Sequence, residues 1–244
     1  MKRTFADLHL HINPLDQPNT QNLLNKTAAL GYKLVGIPFS PQAQADQISK
    51  VKNMCKIAGL DLASRVDIRP RSQNELVGLL RRLRRRFEII CVLSESKDIA
   101  RYAAKDRRVD LLSFPHLDYH KRFFDRAEAE LAHSSLATLE VDIKPLLVLQ
   151  GPQRVRFLSY LRREVKVALD FGLPIVVSSG SSDSMLLRKP REMALMASLF
   201  GLDGDVALDT VSKNSIELVM RNRQKLSGEF VAPGIRLIKQ GEDC

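Results

Sequence analysis

The chain has 244 residues, of which 44% are hydrophobic, so it is long enough to bury a full hydrophobic core. Its 38 Lys and Arg residues outnumber its 28 Asp and Glu residues, which gives a formal charge of +10. This excess attracts polyanions and makes nucleic acid a natural partner, although charge alone also fits basic proteins of other classes.

The cysteines and the hydropathy pattern exclude several further classes of protein. The three cysteines have no CxxC spacing, which argues against a disulfide framework and against a structural zinc site. No apolar run approaches the roughly 18 to 20 residues that span a bilayer. Charged residues occur among the first seven residues, so no apolar core of a signal peptide can form there. We therefore expect a cytoplasmic protein that makes no membrane contact.

Short apolar runs alternate with longer amphipathic stretches along the whole chain, which is typical of βαβ units around a parallel sheet. The predicted strands lie at about 4–10, 33–38, 61–68, 87–93, 109–114, 137–143, 174–178 and 205–208. Because helical stretches separate nearly all neighbouring strands, a closed barrel fits better than an open sheet. We expect an α/β fold, a TIM-like (β/α) barrel of seven or eight strands. The predicted domains are one barrel over 1–226 and a C-terminal tail over 227–244.

The first predicted strand carries the sharpest local pattern, the run Asp7-Leu8-His9-Leu10-His11. The period of two in a strand places Asp7, His9 and His11 on one face and both leucines on the other. The end of a barrel strand points into the mouth, where barrel active sites form. The HxH pair resembles the first metal-binding motif of the polymerase and histidinol phosphatase (PHP) phosphoesterases and of the amidohydrolases.

A hydrolytic metal site needs further ligands from other strand ends and an open position for water. His116, which follows the fifth predicted strand, is the best candidate for a third histidine. The alternative, which we favour, is an ordinary loop histidine beside a vestigial or structural HxH pair.

Charged residues cluster at the other predicted strand ends, among them Arg65, Asp67, Glu140, Asp142 and Lys144. Paired acids and bases at a barrel mouth can serve catalysis. A structural ion network is the commoner arrangement, with Asp67 neutralising Arg65 and Asp142 neutralising Lys144.

Arginines are dense in several stretches, most of all in the run Arg81-Arg82-Leu83-Arg84-Arg85-Arg86. Guanidinium groups pair bidentately with phosphate oxygens, so such arginines can bind RNA without reading its sequence. The alternative is that they form the solvated outer faces of barrel helices. The RNA-binding candidates are Arg69, Arg71, Arg81, Arg82, Arg85, Arg154, Arg156, Arg188, Lys189 and Arg191.

Three longer segments together resemble one family: 110–115, with the sequence DLLSFP; 124–132, with FDRAEAELA; and 139–147, with LEVDIKPLL. Further support comes from the segments 175–181, 187–192 and 202–221. The chain resembles the archaeal ribonuclease P protein component 3 family, which is similar in fold to the PHP phosphoesterases and has lost most of their metal ligands. This sequence departs from that pattern by keeping Asp7, His9 and His11.

The resemblance implies a protein subunit of ribonuclease P, the endonuclease that removes the 5′ leader from precursor tRNA. The RNA subunit would perform the chemistry with Mg²⁺, and this chain would contain no catalytic residue and no intrinsic cofactor. A residual divalent metal at Asp7, His9, His11 and His116 stays open. The implied partners are ribonuclease P RNA, precursor tRNA, protein component 2 in a two-plus-two assembly, and the other protein subunits.

Two alternative functions predict different properties. An autonomous metal-dependent phosphoesterase of the PHP type would use Asp7, His9 and His11, with His116 and Asp183, and would keep bound zinc or manganese through dialysis. A general RNA-binding or ribosome-assembly factor would share the charge but show no preference for ribonuclease P RNA.

Overall fold

The computed structural model describes residues 3–118, 121–232 and 235–236. Seven strands form one sheet: β1 (Ala6–Asp7), β2 (Leu34–Phe39), β3 (Asp61–Ile68), β4 (Ile89–Leu93), β5 (Leu111–Ser113), β6 (Thr138–Asp142) and β7 (Ile175–Ser178). All six neighbouring pairs are parallel and follow chain order. The first five helices that cover them are α1 (Gln17–Ala29), α2 (Ala45–Ile57), α3 (Gln73–Leu83), α4 (Lys97–Lys105) and α5 (Arg126–Ser135). The remaining helices are α6 (Lys144–Val148), α7 (Gly151–Asp170), α8 (Pro190–Ala197), α9 (Gly204–Thr210) and α10 (Lys213–Leu226).

The sheet closes on itself just beyond the ends of β1 and β7. Leu10 and Ser181 form a parallel bridge. The backbone N–H of His11 donates to the carbonyl of Ser181 at 2.9 Å, and the N–H of Gly180 donates to the carbonyl of His9 at 3.0 Å. The predicted α/β barrel of seven or eight strands is therefore confirmed, with seven strands.

The eighth predicted strand, at 205–208, is wrong, because this stretch lies inside helix α9. A four-residue apolar stretch is too short to show whether its period is that of a strand or of a helix.

The end of the barrel at the amino termini of the strands is covered by α10. Leu218 and Val219 of this helix pack against Ala6, Ile89 and other residues of the barrel interior. We call this end, at the amino termini of the strands, the base, and the opposite end the mouth.

Polar caps explain where several helices begin. Ser72, Ser96 and Asp125 each accept a hydrogen bond from the backbone N–H three residues later, at the start of α3, α4 and α5. The buried face of α3 consists of Leu76, Leu80 and Leu83, as its apolar spacing predicts. These helices fix the outer hydrophobic layer and hold the strand ends at the mouth in register.

After α10, strand β8 (Phe230–Ala232) pairs with β9 (Ile235–Arg236) in an antiparallel hairpin. Residues 233–234 and 237–244 of the predicted C-terminal tail lie outside the described residues, so the division near 226 stays a prediction. Within the described ranges, none of the helices combines the length and the apolar character that crossing a bilayer requires.

Candidate functional site

The first strand ends at Asp7 because the side chain of Asp7 binds its own backbone two residues later. Its Oδ1 accepts hydrogen bonds from the N–H of His9 at 3.2 Å and from the N–H of Ser179 at 3.0 Å. An aspartate that bonds to the backbone two residues on competes with regular strand pairing. The chain therefore turns at the barrel mouth and ties β1 to the segment after β7.

The period of two predicts that side chains after Asp7 alternate regularly between two faces of the strand. The turn at Asp7 interrupts this alternation. Leu8 packs in the barrel interior, whereas Leu10 packs against α1 in an outer cluster that contains Leu24. The prediction that both leucines share one face is therefore wrong, since the strand period does not continue past Asp7. The same break brings the ring of His9 among the interior side chains of the mouth.

Arg65 lies at the centre of this interior and is fully buried. Its Nη1 and Nη2 donate to the two carboxylate oxygens of Glu140 at 2.5 and 2.6 Å, and its Nε donates to Asp67 Oδ1 at 2.6 Å. Nη1 also donates to the carbonyl of Leu8 at 2.8 Å. Such bidentate pairing is the strongest form of charge-assisted hydrogen bond. The predicted pairing of Asp67 with Arg65 is confirmed, and Glu140 joins it across the barrel.

His9 lies between two further carboxylates. Its Nδ1 is 2.9 Å from Asp142 Oδ1, and its Nε2 forms an ion pair with Asp67 Oδ2 at 3.2 Å. Burial and the charge of Arg65 lower the pKa of His9, but Asp142 and Asp67 outweigh them and raise it to about 10. The imidazolium form of His9 is therefore favoured, with Nδ1 hydrogen-bonded to Asp142. Nε2 lies within ion-pair distance of Asp67 but has no hydrogen-bond partner among the described residues. Asp142 thus pairs with His9 where the sequence predicted Lys144.

His11 stands next to this network and behaves differently. Its ring centroid is 4.4 Å from that of His9. Burial and the positive charge of His9 lower the pKa of His11 to about 4, so its ring is neutral near pH 7. His11 also lines a polar cavity of about 510 Å³ together with Asn13, Asp16 and Asp183. At the mouth, the ring of His9, which favours the protonated form, therefore lies beside the ring of His11, which favours the neutral form.

The donors at the mouth do not fit a metal ion. Among the described residues, His9, Glu140 and Asp142 bring one ligand atom each within 4.8 Å of one another. Both oxygens of Glu140, however, accept from Arg65, and both nitrogens of His9 face carboxylates. Two atoms here, Asp7 Oδ2 and His9 Nε2, are buried and have no hydrogen-bond partner in the described part of the chain. A metal would have to displace a fixed guanidinium, which is already the cation of this site.

His116 does not belong to the group that contains His9. The carbonyl of His116 accepts from Arg122 Nη1 at 2.9 Å, and its Nε2 is buried without a partner among the described residues. Arg122 in turn forms a buried ion pair with Glu164 of α7 and lies over the ring of Phe157 at 5.2 Å. This pair fastens the loop after β5 to α7, and the sequence analysis missed it. The one signal was the position of Glu164 in the buried stripe of α7.

The ten predicted RNA-binding cations lie in three separate regions. Near the strand ends at the mouth, Arg69 pairs with the exposed Glu95 at 3.2 Å, and Arg154 Nε donates to the carbonyl of Leu149 at 2.6 Å. Arg71 and Arg156 are exposed at the same end. The other two regions hold the remaining six residues: the exposed Arg81, Arg82 and Arg85 at the end of α3, and Arg188, Lys189 and Arg191 at the start of α8.

The α8 region borders a cavity of about 820 Å³ that Lys189 and Arg191 share with Arg3 and Lys33. Arg3 is neutralised by Asp205 and Asp209. The predicted cations therefore do not form one continuous face.

Comparison with known proteins gives one consistent match. A family model described as RNase P subunit p30 matches residues 4–227. Ribonuclease P protein component 3 of Methanosarcina mazei is 27% identical over 243 residues, which cover 99% of this chain and 98% of that protein. The component 3 protein of Methanococcoides burtonii is 24% identical over 238 residues, which cover 98% and 95% of the two chains.

Solved structures support the barrel fold. The chain is similar to one in a cryo-EM structure of archaeal ribonuclease P with mature tRNA, with a TM-score of 0.84, 21% sequence identity and coverage of 96% of this chain and 100% of that one. It is more distantly similar to the ochratoxinase of A. niger, with a TM-score of 0.60, 9% identity and coverage of 89% and 71%. At such identities the likeness establishes the fold and leaves the chemistry to be argued from the residues.

Proposed function

The chain belongs to the RNase P subunit p30 family, and on that basis we propose that it is a protein subunit of ribonuclease P, the endonuclease that removes the 5′ leader from precursor tRNA. The observation that carries the proposal is the match of the family model over residues 4–227, almost the whole chain. Relatives named ribonuclease P protein component 3 align with it from end to end, which supports the same role.

We propose further that the chain performs no chemistry of its own and leaves the reaction to the RNA subunit and its Mg²⁺. The support is the ion network at the barrel mouth, where Arg65 and His9 already neutralise the carboxylates that a metal would use. An autonomous phosphoesterase needs an open coordination position, and these occupied donors offer none. Asp7, His9 and His11 are in this view structural residues of the mouth.

The protein would contribute positive charge and a rigid surface. Each arginine or lysine that neutralises a phosphate releases condensed counterions and lowers the repulsion between closely packed RNA strands. The whole chain carries 38 basic residues against 28 acidic ones. We propose ribonuclease P RNA, precursor tRNA, protein component 2 in a two-plus-two complex, and the other protein subunits as its partners.

An RNA competition experiment tests the proposed function. The chain, alone and with component 2, is titrated into labelled ribonuclease P RNA from the same genome, and unlabelled ribonuclease P RNA or an unrelated structured RNA of equal length is added as competitor. The proposal predicts that the cognate RNA competes at least about tenfold better, since shape adds to the charge term. Equal competition would assign the chain to general RNA binding, and zinc or manganese retained stoichiometrically through dialysis would support the phosphoesterase.

A further inference from the structure

A group of basic side chains lies at the base of the barrel, away from the HxH pair. Arg84 and Arg221 approach one buried carboxylate there, Asp110 just before β5, and Lys225 lies within electrostatic range of Asp110 and of three arginines. The four basic side chains come from the end of α3, the loop after α4, and α10, and we call them the basal cluster: Arg84, Arg107, Arg221 and Lys225. The list of RNA-binding residues predicted from sequence contains none of them.

Asp110 fixes the geometry of the cluster. It is 1% exposed, and its Oδ2 accepts from Arg84 Nη1 and, at 2.8 Å, from the N–H of Ile90. Its Oδ1 lies 4.0 Å from Nη2 of Arg221. Arg84 Nη2 also donates to the carbonyls of Phe87 and Glu88 at 2.7 and 2.8 Å. Arg84 is therefore held in place by the barrel itself, so it would lose little side-chain entropy on binding a ligand.

The charges of the cluster do not balance within the described chain. Arg84 and Arg221 share the single carboxylate of Asp110, with Arg107 and Lys225 in the same electrostatic environment, and the nearby Glu88 is already paired with Arg223 at 2.5 Å. Nε of Arg221 is buried and has no hydrogen-bond partner among the described residues. Burial lowers the pKa of Lys225, and Arg221, Arg84 and Arg107 lower it further while Asp110 opposes them. The described residues thus leave an excess of positive charge around the Arg84–Asp110–Arg221 group, which favours an anion from outside the chain.

The arrangement fits a polyanion better than a single small anion. The cations are spread over two helices and a loop, and the exposed Arg81, Arg82 and Arg85 lie within one helical turn of Arg84. This gives a track of guanidinium groups, which pair with phosphate oxygens in a planar fork. We propose that the basal cluster binds the phosphodiester backbone of ribonuclease P RNA. The inference rests on the proposed function and specifies which end of the barrel meets the RNA.

A pair of matched double variants tests this proposal. Arg107→Ala/Lys225→Ala removes two exposed cations of the cluster and leaves the Arg84–Asp110 pair intact. Lys50→Ala/Lys52→Ala removes the same charge from exposed positions of α2 and serves as the control. The affinity of each chain, with component 2 present, is measured for ribonuclease P RNA at several salt concentrations.

We expect the basal variant to lose about tenfold or more in affinity and to lower the slope of log K against log salt by about 1.5 to 2. The control should stay within about twofold of the unmodified chain at matched salt. Because the substitutions relieve repulsion, the thermal midpoint of the basal variant should not fall.

Equal losses in the two variants, or no loss in either, would overturn the proposal. Weaker association with component 2 at unchanged RNA affinity would also overturn it and assign the surface to a protein. If the unmodified chain itself shows no preference for ribonuclease P RNA, the proposed function fails as well, so the two failures are distinguishable.

Discussion

Arg65 neutralises the interior of the barrel mouth, because Glu140 and Asp67 both direct their carboxylates at its guanidinium. The substitution Arg65→Met keeps most of the volume, leaves the buried Glu140 carboxylate without its guanidinium partner and leaves Asp67 with His9 alone. We expect the free energy of unfolding to fall by about 3 to 5 kcal/mol, as for other buried pairs with one partner removed. Urea denaturation at pH 7 measures this loss.

The double variant Arg65→Met/Glu140→Leu serves as the control. Replacing both partners of a buried pair by apolar groups often restores stability, so the double variant should be more stable than Arg65→Met alone. A loss below about 1 kcal/mol in the single variant, the size seen for exposed ion pairs, would contradict the description of Arg65 as the buried counterion.

Glu128 in the first turn of α5 gives a prediction about pH. Its carboxylate is buried, neither oxygen has a hydrogen-bond partner among the described residues, and Arg101 Nε lies 3.5 Å away. Burial raises its pKa to about 8, against an ordinary value of 4.5, although Arg101 opposes the shift. The fold therefore favours the neutral acid, and this contribution to stability is fully present below pH 4.5 and is lost as the pH rises to 8.

The substitution Glu128→Gln removes this dependence on pH. We expect the variant to be more stable than the unmodified chain at pH 8, by on the order of 3 kcal/mol, and the difference to shrink towards zero at about pH 5. The contribution of His9, which is lost between its ordinary pKa of 6.5 and about 10, is common to both proteins and cancels. Denaturation at a series of pH values, with the exposed Glu130→Gln as control, checks the result; a difference independent of pH would contradict it.

Single-residue predictions from the sequence succeeded where the partners are close in the chain. Arg65 and Asp67 are two residues apart on one strand, and their pairing was predicted. The contacts of His9 with Asp142 and of Arg122 with Glu164 join residues 133 and 42 positions apart, and no local pattern specifies them. The turn at Asp7 was also missed: its local bond to the N–H of His9 is joined by one from the N–H of Ser179, far along the chain.

At the scale of secondary-structure elements, β2 approaches the backbone just after β1 tightly at Gly36. A Cβ added at Gly36 would lie 2.3 Å from the carbonyl oxygen of Leu8, and the carbonyl of Gly36 accepts from the N–H of Leu10 at 2.9 Å. Gly36→Ala must therefore push β1 off the sheet. We expect a loss of about 2 to 3 kcal/mol or more in the free energy of unfolding, as for other overpacked sites.

Gly78 is the matched control for this prediction. It is exposed in the interior of α3, and a Cβ there meets nothing within 4 Å. Gly78→Ala should raise the free energy of unfolding by about 1 kcal/mol, because alanine is the better helix former. Thermal or urea unfolding of both variants is the measurement. Similar effects at the two positions would show that the contact between β1 and β2 is not tight.

Sequence patterns located most of the elements because the βα alternation is regular. The apolar runs of β2, β3 and β4 match the predicted strands closely. The pattern failed at 205–208, where four residues are too few to show a period, and at the barrel closure. Closure depends on one bridge between Leu10 and Ser181, which no periodicity reveals.

At the scale of the whole molecule, the barrel separates two charged ends with different roles. The mouth holds an internally neutralised network around Arg65, whereas the base carries cations in excess of their carboxylates. The sequence predicted the excess of charge and the family, but not which cations share a surface. Arg107 and Arg221 are 114 positions apart (221 − 107), and only the fold brings them together.

The central claim is that this chain assists an RNA catalyst and performs no hydrolysis. The most direct test reconstitutes the catalytic RNA with component 2 from the same genome, with and without the chain, and measures precursor tRNA cleavage across Mg²⁺ concentrations. A variant with Asp7→Asn and His11→Ala removes the free donors at the mouth while keeping the Asp7 Oδ1 acceptor and the His9 pairs.

The account predicts faster cleavage at lower Mg²⁺ with the chain, the same improvement with the variant, and no cleavage by the chain without RNA. No effect of the unmodified chain would contradict the assignment to ribonuclease P. Loss of the effect in a folded variant would contradict the structural role given to the mouth.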